Sequence, residues 1–305
     1  MAKKKRAKGM ENKNIKIARC LAEKVAKRGG RAYFVGGYVR DRILKREIKD
    51  IDIEVHGMTI DALAEILDTL GSRMEIGSHF GIFRIRGYEV DIAMPRIEQA
   101  TGKGHKDFSI LIDPFLGTKK AAARRDFTVN SMMEDVLTGE VIDHFDGKQD
   151  LEERILRHVD SKTFPDDPLR VLRAAQFAAR FHFGIARETI EISKDMDLSS
   201  LSGERVLEEL KKALLTSDCP SVFFQILREM KQLEVWFPEV KQLIGIEQNP
   251  VYHPEGDVWN HTMLVIDEAA KLREEVSAPF YFMISALAHD FGKAVTTEKR
   301  NGQIV

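Results

Sequence analysis

The chain is poor in cysteine and has no long apolar run. Only two cysteines occur in 305 residues, Cys20 and Cys219, and they lie far apart without a CxxC pair. Two such residues cannot build a disulfide framework, which fits a reducing cytoplasm. No segment reaches the roughly 20 apolar residues of a membrane-spanning helix, and the N-terminus lacks the apolar core of a secretory signal. We therefore expect a cytoplasmic protein without a membrane span.

An excess of charge of one sign is also absent. The chain carries 47 Lys and Arg against 48 Asp and Glu, which gives a formal net charge of −1. This balance excludes a globally basic nucleic-acid-binding protein, so any surface for nucleic acid must be a local patch. The basic cluster at residues 1–12 is predicted to be a disordered tail.

Hydrophobic periodicity divides the chain into a mixed first half and a helical remainder. The length allows two or three domains. Up to about residue 150, predicted helices at 13–28 and 59–70 alternate with short strands, and afterwards long amphipathic patterns dominate. This order predicts an α+β fold with a small mixed sheet followed by all-α segments. The predicted strands are 32–35, 50–55, 73–76, 82–86 and 89–93.

The most informative motif is a glycine pair followed by two alternating carboxylates. Gly36 and Gly37 lie between a predicted strand and a helix, where backbone N–H groups can approach a phosphate closely. Asp50 and Asp52 project from one face of the next strand, and Asp91 adds a carboxylate on a later one. Each feature alone is common in turns and on solvated strands. Together they predict nucleotidyl transfer, with divalent cations bridging a triphosphate and an attacking hydroxyl.

A second motif places two arginines before a predicted helix. Arg124 and Arg125 could hold a phosphate or a ribose. Asp126 and Asn130 have i, i+4 spacing, which puts both on one helical face where they can bond a sugar hydroxyl. Taken by itself, this motif favours the alternative of a capped helix start with solvated arginines.

A third motif repeats polar residues along a helix that begins after Pro168. Asp167, Arg170 and Arg173 recur at every third position. A carboxylate accepts from an exocyclic amine and a guanidinium donates to the adjacent ring nitrogen, the pattern that cytosine and adenine present. Uracil and guanine present the reverse pattern. The alternative is an intrahelical ion pair that only supports the helix.

Taken together, these motifs resemble the class II tRNA nucleotidyltransferases, the CCA-adding enzymes, within the polymerase β-like nucleotidyltransferase and poly(A) polymerase family. The resemblance rests on residues 36–41, 49–52, 124–130, 166–170 and 204–210. It implies a head, neck and body, the tRNA 3′ end, CTP and ATP as partners, and Mg²⁺ as cofactor. It assigns metal binding to Asp50 and Asp52, with Asp91 as a third catalytic carboxylate. The implied nucleotide-binding residues are Gly36, Gly37, Arg40, Asp41, Arg125, Asp126, Asn130, Asp167, Arg170 and Arg173.

Two departures and one loop bear on specificity. The base-selecting motif usually opens Glu-Asp and here reads Asp166-Asp167, and Gln176 replaces a common basic residue. Residues 95–108 resemble the flexible loop with which full CCA-adding enzymes switch from C to A, although an ordinary mobile loop fits equally well. The alternatives are a bacterial poly(A) polymerase, a CC-adding or A-adding enzyme, and an inactive RNA-binding module.

The last residues resemble the opening half of an HD phosphohydrolase domain. His261, His289 and Asp290 are the expected ligands of a second divalent metal, Mn²⁺ or Ni²⁺. The usual fourth ligand is a later Asp that does not occur before Val305, so we expect an incomplete hydrolase site. The resulting segments are a basic tail (1–12), the nucleotidyltransferase head (13–150), the neck (151–217), a body or linker (218–250) and a partial HD domain (251–305).

Overall fold

The computed structural model describes residues 2–48, 50–76, 81–100, 108–300 and 303–304. The chain forms two compact units. The first unit consists of residues 1–153 and 157–164, and the second of residues 154–156 and 165–305. No helix among the described residues is both long and apolar enough to cross a membrane.

The first unit is built from short strands and helices that alternate along the chain, as the periodicity predicts. Its strands are β1 (Arg31–Val35), β2 (Ile51–His56), β3 (Arg73–Ile76), β4 (Ile82–Ile85), β5 (Val90–Ala93), β6 (Arg96–Ala100), β7 (Phe108–Ile112), β8 (Met133–Asp135) and β9 (Val141–Ile142). Its helices are α1 (Ala2–Lys27), α2 (Gly37–Ile43), α3 (Ile60–Asp68), α4 (Thr118–Ala123), α5 (Thr128–Ser131) and α6 (Gly147–Glu153).

Seven of these strands form one mixed sheet in the order β3-β4-β5-β2-β1-β8-β9. Neighbouring strands are antiparallel except β2 and β5, which are parallel. The strand predicted to carry the metal ligands, β2, therefore lies inside the sheet, between β1 and β5. The predicted α+β class with a small mixed sheet is confirmed.

The core of the first unit explains why apolar and polar residues alternate along β2. Ile51, Ile53 and Val55 are at most 5% exposed and belong to the hydrophobic core. Successive side chains of a strand point to opposite faces, so Asp52 and Glu54 project from the other face. Because the apolar side chains of β2 are buried away from water, the alternating polar side chains must point to the opposite face of the strand.

Two predictions about flexible segments differ from the structure. Residues 2–12 of the basic segment, which was expected to be a disordered tail, are part of α1, which runs from Ala2 to Lys27. The segment is rich in Lys and also contains Ala and Met, which are strong helix formers and extend a helix already packed at Leu21 and Val25. In the expected loop 95–108, residues 96–100 form a strand paired with 108–112, and 101–107 lie outside the described residues.

The second unit is mainly helical, as expected. Its helices are α7 (Leu169–Phe181), α8 (Arg187–Lys194), α9 (Gly203–Thr216), α10 (Ser221–Glu229), α11 (Leu233–Trp236), α12 (Pro238–Gln242), α13 (Val258–Leu272), α14 (Pro279–Ala288) and α15 (Lys293–Thr296). The strands in its described part have two residues each: β10 (Ile155–Leu156), β11 (Gly184–Ile185), β12 (Lys299–Arg300) and β13 (Gln303–Ile304). Helix α7 packs against α9 and α10, and α13 packs against α14.

Candidate active site

One face of β2 carries a polar row that runs from solvent into the protein. Asp50 lies just before the strand and is exposed, while Asp52 is half-buried. Glu54 is 1% exposed and His56 is 8% exposed. The strand thus presents its first two carboxylates where a ligand can reach them and encloses the third.

The parallel pairing of β2 and β5 brings two of the predicted catalytic residues side by side. Asp52 and Asp91 are direct partners in the strand register. Arg84 on β4 donates from its Nε to Asp91 Oδ1 over 2.6 Å. The pKa of Asp52 is raised to about 6, because burial and the nearby charges of Asp91 and Asp50 together outweigh the opposing charges of Arg125 and Arg84. Carboxylate oxygens that the fold holds close together despite their mutual repulsion are suitable ligands for a divalent cation.

The glycine turn contacts this site directly. Gly36 adopts φ +65°, and a Cβ placed there would lie 3.3 Å from Arg125 Nη1 and 3.9 Å from Asp52 Oδ2. The backbone conformation disfavours residues with a side chain. The structure therefore brings Gly36, Asp52 and Arg125 together. Gly37 starts α2 and lies near Arg40, whose Nη2 would be 3.3 Å from a Cβ at Gly37.

Four predicted nucleotide-binding residues form a buried polar network. Arg40 donates from Nε to Asp41 Oδ1 (2.8 Å) and from Nη1 to Asn130 Oδ1 (2.7 Å). Asn130 in turn donates to Asp126 Oδ1 over 3.0 Å. All four are 5–8% exposed. The network joins α2 to α5 beneath the glycine turn, so these residues support the site from inside.

The expectation that Asp126 and Asn130 share a helical face is wrong. Helix α5 begins at Thr128, and Phe127 before it is extended. Asp126 Oδ1 accepts the Phe127 backbone N–H over 2.8 Å and bonds the Asn130 side chain. The carboxylate satisfies the backbone and amide donors near the helix start rather than lying on the helix.

The sequence reasoning missed Glu54 and its partners. Glu54 Oε1 lies 2.8 Å from His56 Nε2, and Oε2 accepts from Arg125 Nη2 over 3.3 Å. Arg124 Nη2 lies 3.6 Å from the same Oε2. Burial alone raises the pKa of the Glu54 carboxyl, but the His56 bond and the charges of Arg125, His56 and Arg124 outweigh it and bring that pKa to about 2.

A signal for Glu54 was available, because every second residue from Asp50 to His56 is polar. The favoured alternative for the arginine pair, solvated side chains at a helix start, is wrong. The side chains of Arg124 and Arg125 are 24% and 17% exposed, and both face Glu54. The buried negative charge of Glu54 would be destabilising without positive charges beside it, and the two arginines supply them.

In the second unit, Asp167 lies just before α7. Its Oδ1 accepts the Leu169 backbone N–H over 3.1 Å. Arg205 from α9 lies in the 204–210 motif but was given no role by the sequence, and it donates from Nη2 to both carboxylate oxygens over 3.1 and 3.0 Å. Arg170 is 8% exposed. The Arg173 guanidinium lies 5.1 Å from the Phe177 ring centre.

A second cluster lies near the C-terminal end of the described chain. Ligand atoms of His261, His289 and Asp290 lie within 4.8 Å of one another, so the three predicted HD residues do come together. His253 and Glu255, which the sequence reasoning did not assign, form an overlapping set with His261. Glu255 Oε1 lies 3.0 Å from His253 Nδ1 and 2.7 Å from His261 Nδ1.

The carboxylates of this cluster are strongly engaged. The Glu255 backbone N–H and hydrogen bonds from His253 and His261 lower the pKa of the Glu255 carboxyl to about 2. Asp290 Oδ2 accepts from Lys293 Nζ over 2.7 Å and lies 3.3 Å from His289 Nε2. Imidazole nitrogens and carboxylate oxygens in this arrangement are suitable ligands for a transition metal.

Comparison with known proteins accords with the site in the first unit. Residues 32–157 match the family described as the poly A polymerase head domain. Residues 182–244 match the probable RNA- and SrmB-binding site of polymerase A. The segment 32–157 therefore belongs to the poly A polymerase head-domain family.

Proteins similar to this chain include curated relatives and solved structures. The chain is 39% identical over 271 residues to the multifunctional CCA protein of Actinobacillus pleuropneumoniae serotype 5b, covering 87% of this chain and 64% of the relative. It is 40% identical over 276 residues to the multifunctional CCA protein of Pseudomonas fluorescens, and the match covers 88% of this chain and 64% of that relative. A solved CCA-adding enzyme with ATP superposes with a TM-score of 0.65 at 25% identity, over 90% of this chain and 63% of that one.

The two family matches include the candidate active site of the first unit but not the histidine cluster near the C-terminal end. The head-domain match includes the Gly36 turn, β2, β5 and the arginine pair, and the second match includes Arg205. His261, His289 and Asp290 lie after both matched segments. The chain spans 64% of the length of the first curated relatives.

Proposed function

We propose that this chain adds C, C and A to the 3′ end of tRNA with CTP and ATP as nucleotide donors. The observation that carries the proposal is the pairing of Asp52 with Asp91 next to Gly36 and Arg125. The names of the relatives, multifunctional CCA proteins, and the solved CCA-adding enzyme with ATP support this choice of substrates.

Asp50 and Asp52 would hold Mg²⁺, with Asp91 as the third carboxylate. Burial and the charge of Asp91 raise the pKa of Asp52, and a bound cation would favour the ionised carboxylate, which supports this assignment. When bound, the metal neutralises triphosphate charge and lowers the pKa of the attacking hydroxyl.

The other residues bind and orient the nucleotide. The turn at Gly36 lets backbone N–H groups approach the phosphates, and Arg125 adds a fixed positive charge beside it. The terminal ribose hydroxyl of the tRNA attacks the α-phosphate, the bond to the β-phosphate breaks and pyrophosphate leaves. The buried bonds of Arg40, Asp41, Asp126 and Asn130 keep the turn in place.

Asp167 and Arg170 would select the base. Asp167 accepts the exocyclic amine of cytosine or adenine while Arg170 donates to the ring nitrogen. The two bonds from Arg205 orient the Asp167 carboxylate, whose oxygens retain lone pairs for a further donor. UTP and GTP would leave polar groups unpaired, which is costly in a dry site.

The deciding experiment supplies each labelled nucleoside triphosphate separately to tRNAs that end before, within and after the CCA sequence. We expect CTP on the first, ATP only after CC, and no extension of the complete end. Long tracts of A made from ATP alone would identify a poly(A) polymerase instead. Incorporation of only C or only A would identify a partial enzyme.

We further propose a second divalent metal, Mn²⁺ or Ni²⁺, on His261, His289 and Asp290. The specific observation is their convergence with Glu255, which bonds the Nδ1 of His261 and thereby leaves Nε2 for the metal. Calorimetric titration with Ni²⁺ should show one site that Asp290→Asn and His289→Ala weaken more than tenfold. Unchanged affinity in both variants would exclude these ligands. Hydrolysis of a 2′,3′-cyclic phosphate tests whether the bound metal is catalytic.

A further inference from the structure

We propose that Glu54 is a positioning residue that holds Arg125 at the Gly36 turn, where Arg125 meets the triphosphate instead of pairing with Asp52. This inference rests on the proposed function, because it takes a nucleoside triphosphate as the ligand of that turn.

Glu54 itself is too enclosed to touch a substrate. It is 1% exposed, and its two oxygens face His56 on one side and the two arginines on the other. A buried carboxylate with these partners stays ionised and keeps a permanent attraction for them. Its influence on a ligand must therefore pass through a residue that it holds.

Arg125 is the residue that can transmit this influence. One terminal nitrogen, Nη2, bonds Glu54, and the other, Nη1, lies at the Gly36 turn. The side chain spans from the buried carboxylate to the turn and remains 17% exposed at its position. A guanidinium fixed at one end presents its other donors in a set direction, which suits phosphate oxygens.

Without Glu54, an alternative partner for Arg125 is the site's own carboxylate, Asp52. Asp52 Oδ2 lies at the same turn, on the same strand face two residues before Glu54. A guanidinium released from Glu54 would pair with Asp52 and withdraw from the triphosphate. Glu54 thus separates the positive charge that binds phosphate from the negative charge that binds the cation.

The test is a double-mutant cycle on triphosphate binding, measured by calorimetry with a non-hydrolysable α,β-methylene analogue of CTP and Mg²⁺, without tRNA. Glu54→Gln should raise the dissociation constant about tenfold, and Arg125→Ala should raise it by a similar factor. The double variant should bind no more than about twofold more weakly than Arg125→Ala, because Glu54 acts through Arg125. Effects that multiply would overturn the proposal.

Glu134→Gln is the matched control. Glu134 is 3% exposed on β8 of the same sheet and pairs with Arg42 over 2.8 Å, so the substitution removes a similarly buried charge that holds a different arginine. It should leave the dissociation constant within about twofold, while a loss equal to that of Glu54→Gln would mean a general effect on folding and contradict the proposal.

Steady-state kinetics separates positioning from chemistry. In tRNA extension, Glu54→Gln should raise KM for CTP more than it lowers kcat, and Glu54→Asp should recover part of the loss by restoring the charge. A loss confined to kcat would overturn the proposal. Because binding is measured without tRNA, a wild-type chain that binds the analogue but extends no tRNA would overturn the proposed function and leave the cycle decisive for Glu54.

Discussion

At the scale of single residues, Asp52 is a carboxylate that folding makes harder to ionise. Its pKa rises to about 6, from an ordinary value of 3.8, through burial and the charges of Asp91 and Asp50. A raised carboxyl pKa contributes stability that is present below about pH 4 and is lost as the pH rises through 6. Above that range, the ionised group lowers the free energy of unfolding by about 1–3 kcal/mol in the absence of a cation.

Asp52→Asn should therefore separate stability from activity. The variant lacks the charge penalty, so without metal at pH 8 it should melt a few degrees above the wild type, and the difference should vanish near pH 4. It should lose CTP incorporation by orders of magnitude and keep its tRNA affinity, since a metal ligand is gone. Melting curves in EDTA and extension assays check both results. Near-normal turnover of a folded variant would exclude Asp52 as a ligand.

Gly36→Ala tests the turn, and Gly29→Ala is its control. Both glycines have positive φ, +65° and +82°, so each substitution should cost about 1–2 kcal/mol of stability. Only at Gly36 would the Cβ approach Arg125, and a Cβ at Gly29 meets no atom within 4 Å. We expect a raised KM for CTP in Gly36→Ala alone. Equal KM values in the two variants would remove the turn from the binding site.

At the scale of elements, the spacing along β2 and α3 was predictable from the sequence, and side-chain partners on other elements were not. The helix expected at 59–70 exists as α3 with Thr59 as its cap, because Thr59 Oγ1 accepts the Ala62 N–H. Local spacing also located Asp167 before α7. That Arg205 binds Asp167 depends on α9 packing against α7, which local spacing does not determine.

The residues proposed to select the base lie at the start of α7. Arg170→Ala should lower discrimination against UTP and GTP by a factor of about 5 to 150, which corresponds to roughly 1–3 kcal/mol for one base contact. Arg180→Ala, in the last turn of the same helix, is the control and should keep the selectivity of the wild type. Competition assays with mixed triphosphates measure the ratio. If Arg170→Ala kept the full selectivity of the wild type, the repeat of Asp167, Arg170 and Arg173 would only support the helix.

At the scale of the whole molecule, each compact unit contains its own candidate metal ligands. Carboxylates gather on β2 and β5 in the first unit, and histidines predominate in the second. Oxygen ligands favour Mg²⁺ and imidazoles favour Ni²⁺. The two metals should therefore act on different parts of the chain.

Hydrogen exchange with mass spectrometry can resolve the two effects. Mg²⁺ with CTP should slow amide exchange in β2 and α7, and Ni²⁺ alone should slow it in α13 and at residues 288–293, because bound ligands suppress local opening. Asp52→Asn should abolish the effect on β2 and keep the Ni²⁺ effect, and Asp290→Asn should do the opposite. Protection of both regions by either metal would contradict separate sites.

The sequence by itself determined the residue types and their local order: the glycine pair, the alternating carboxylates from Asp50 to Glu54, and the helical repeat from Asp167. Side-chain periods of strands and helices follow from backbone geometry, so they are readable from spacing. Only the tertiary structure decided that Asp52 lies beside Asp91 and that Glu54 binds Arg125. Those neighbours are distant in sequence. The order of strands follows from burying the apolar faces of the whole sheet, and no local pattern contains that information.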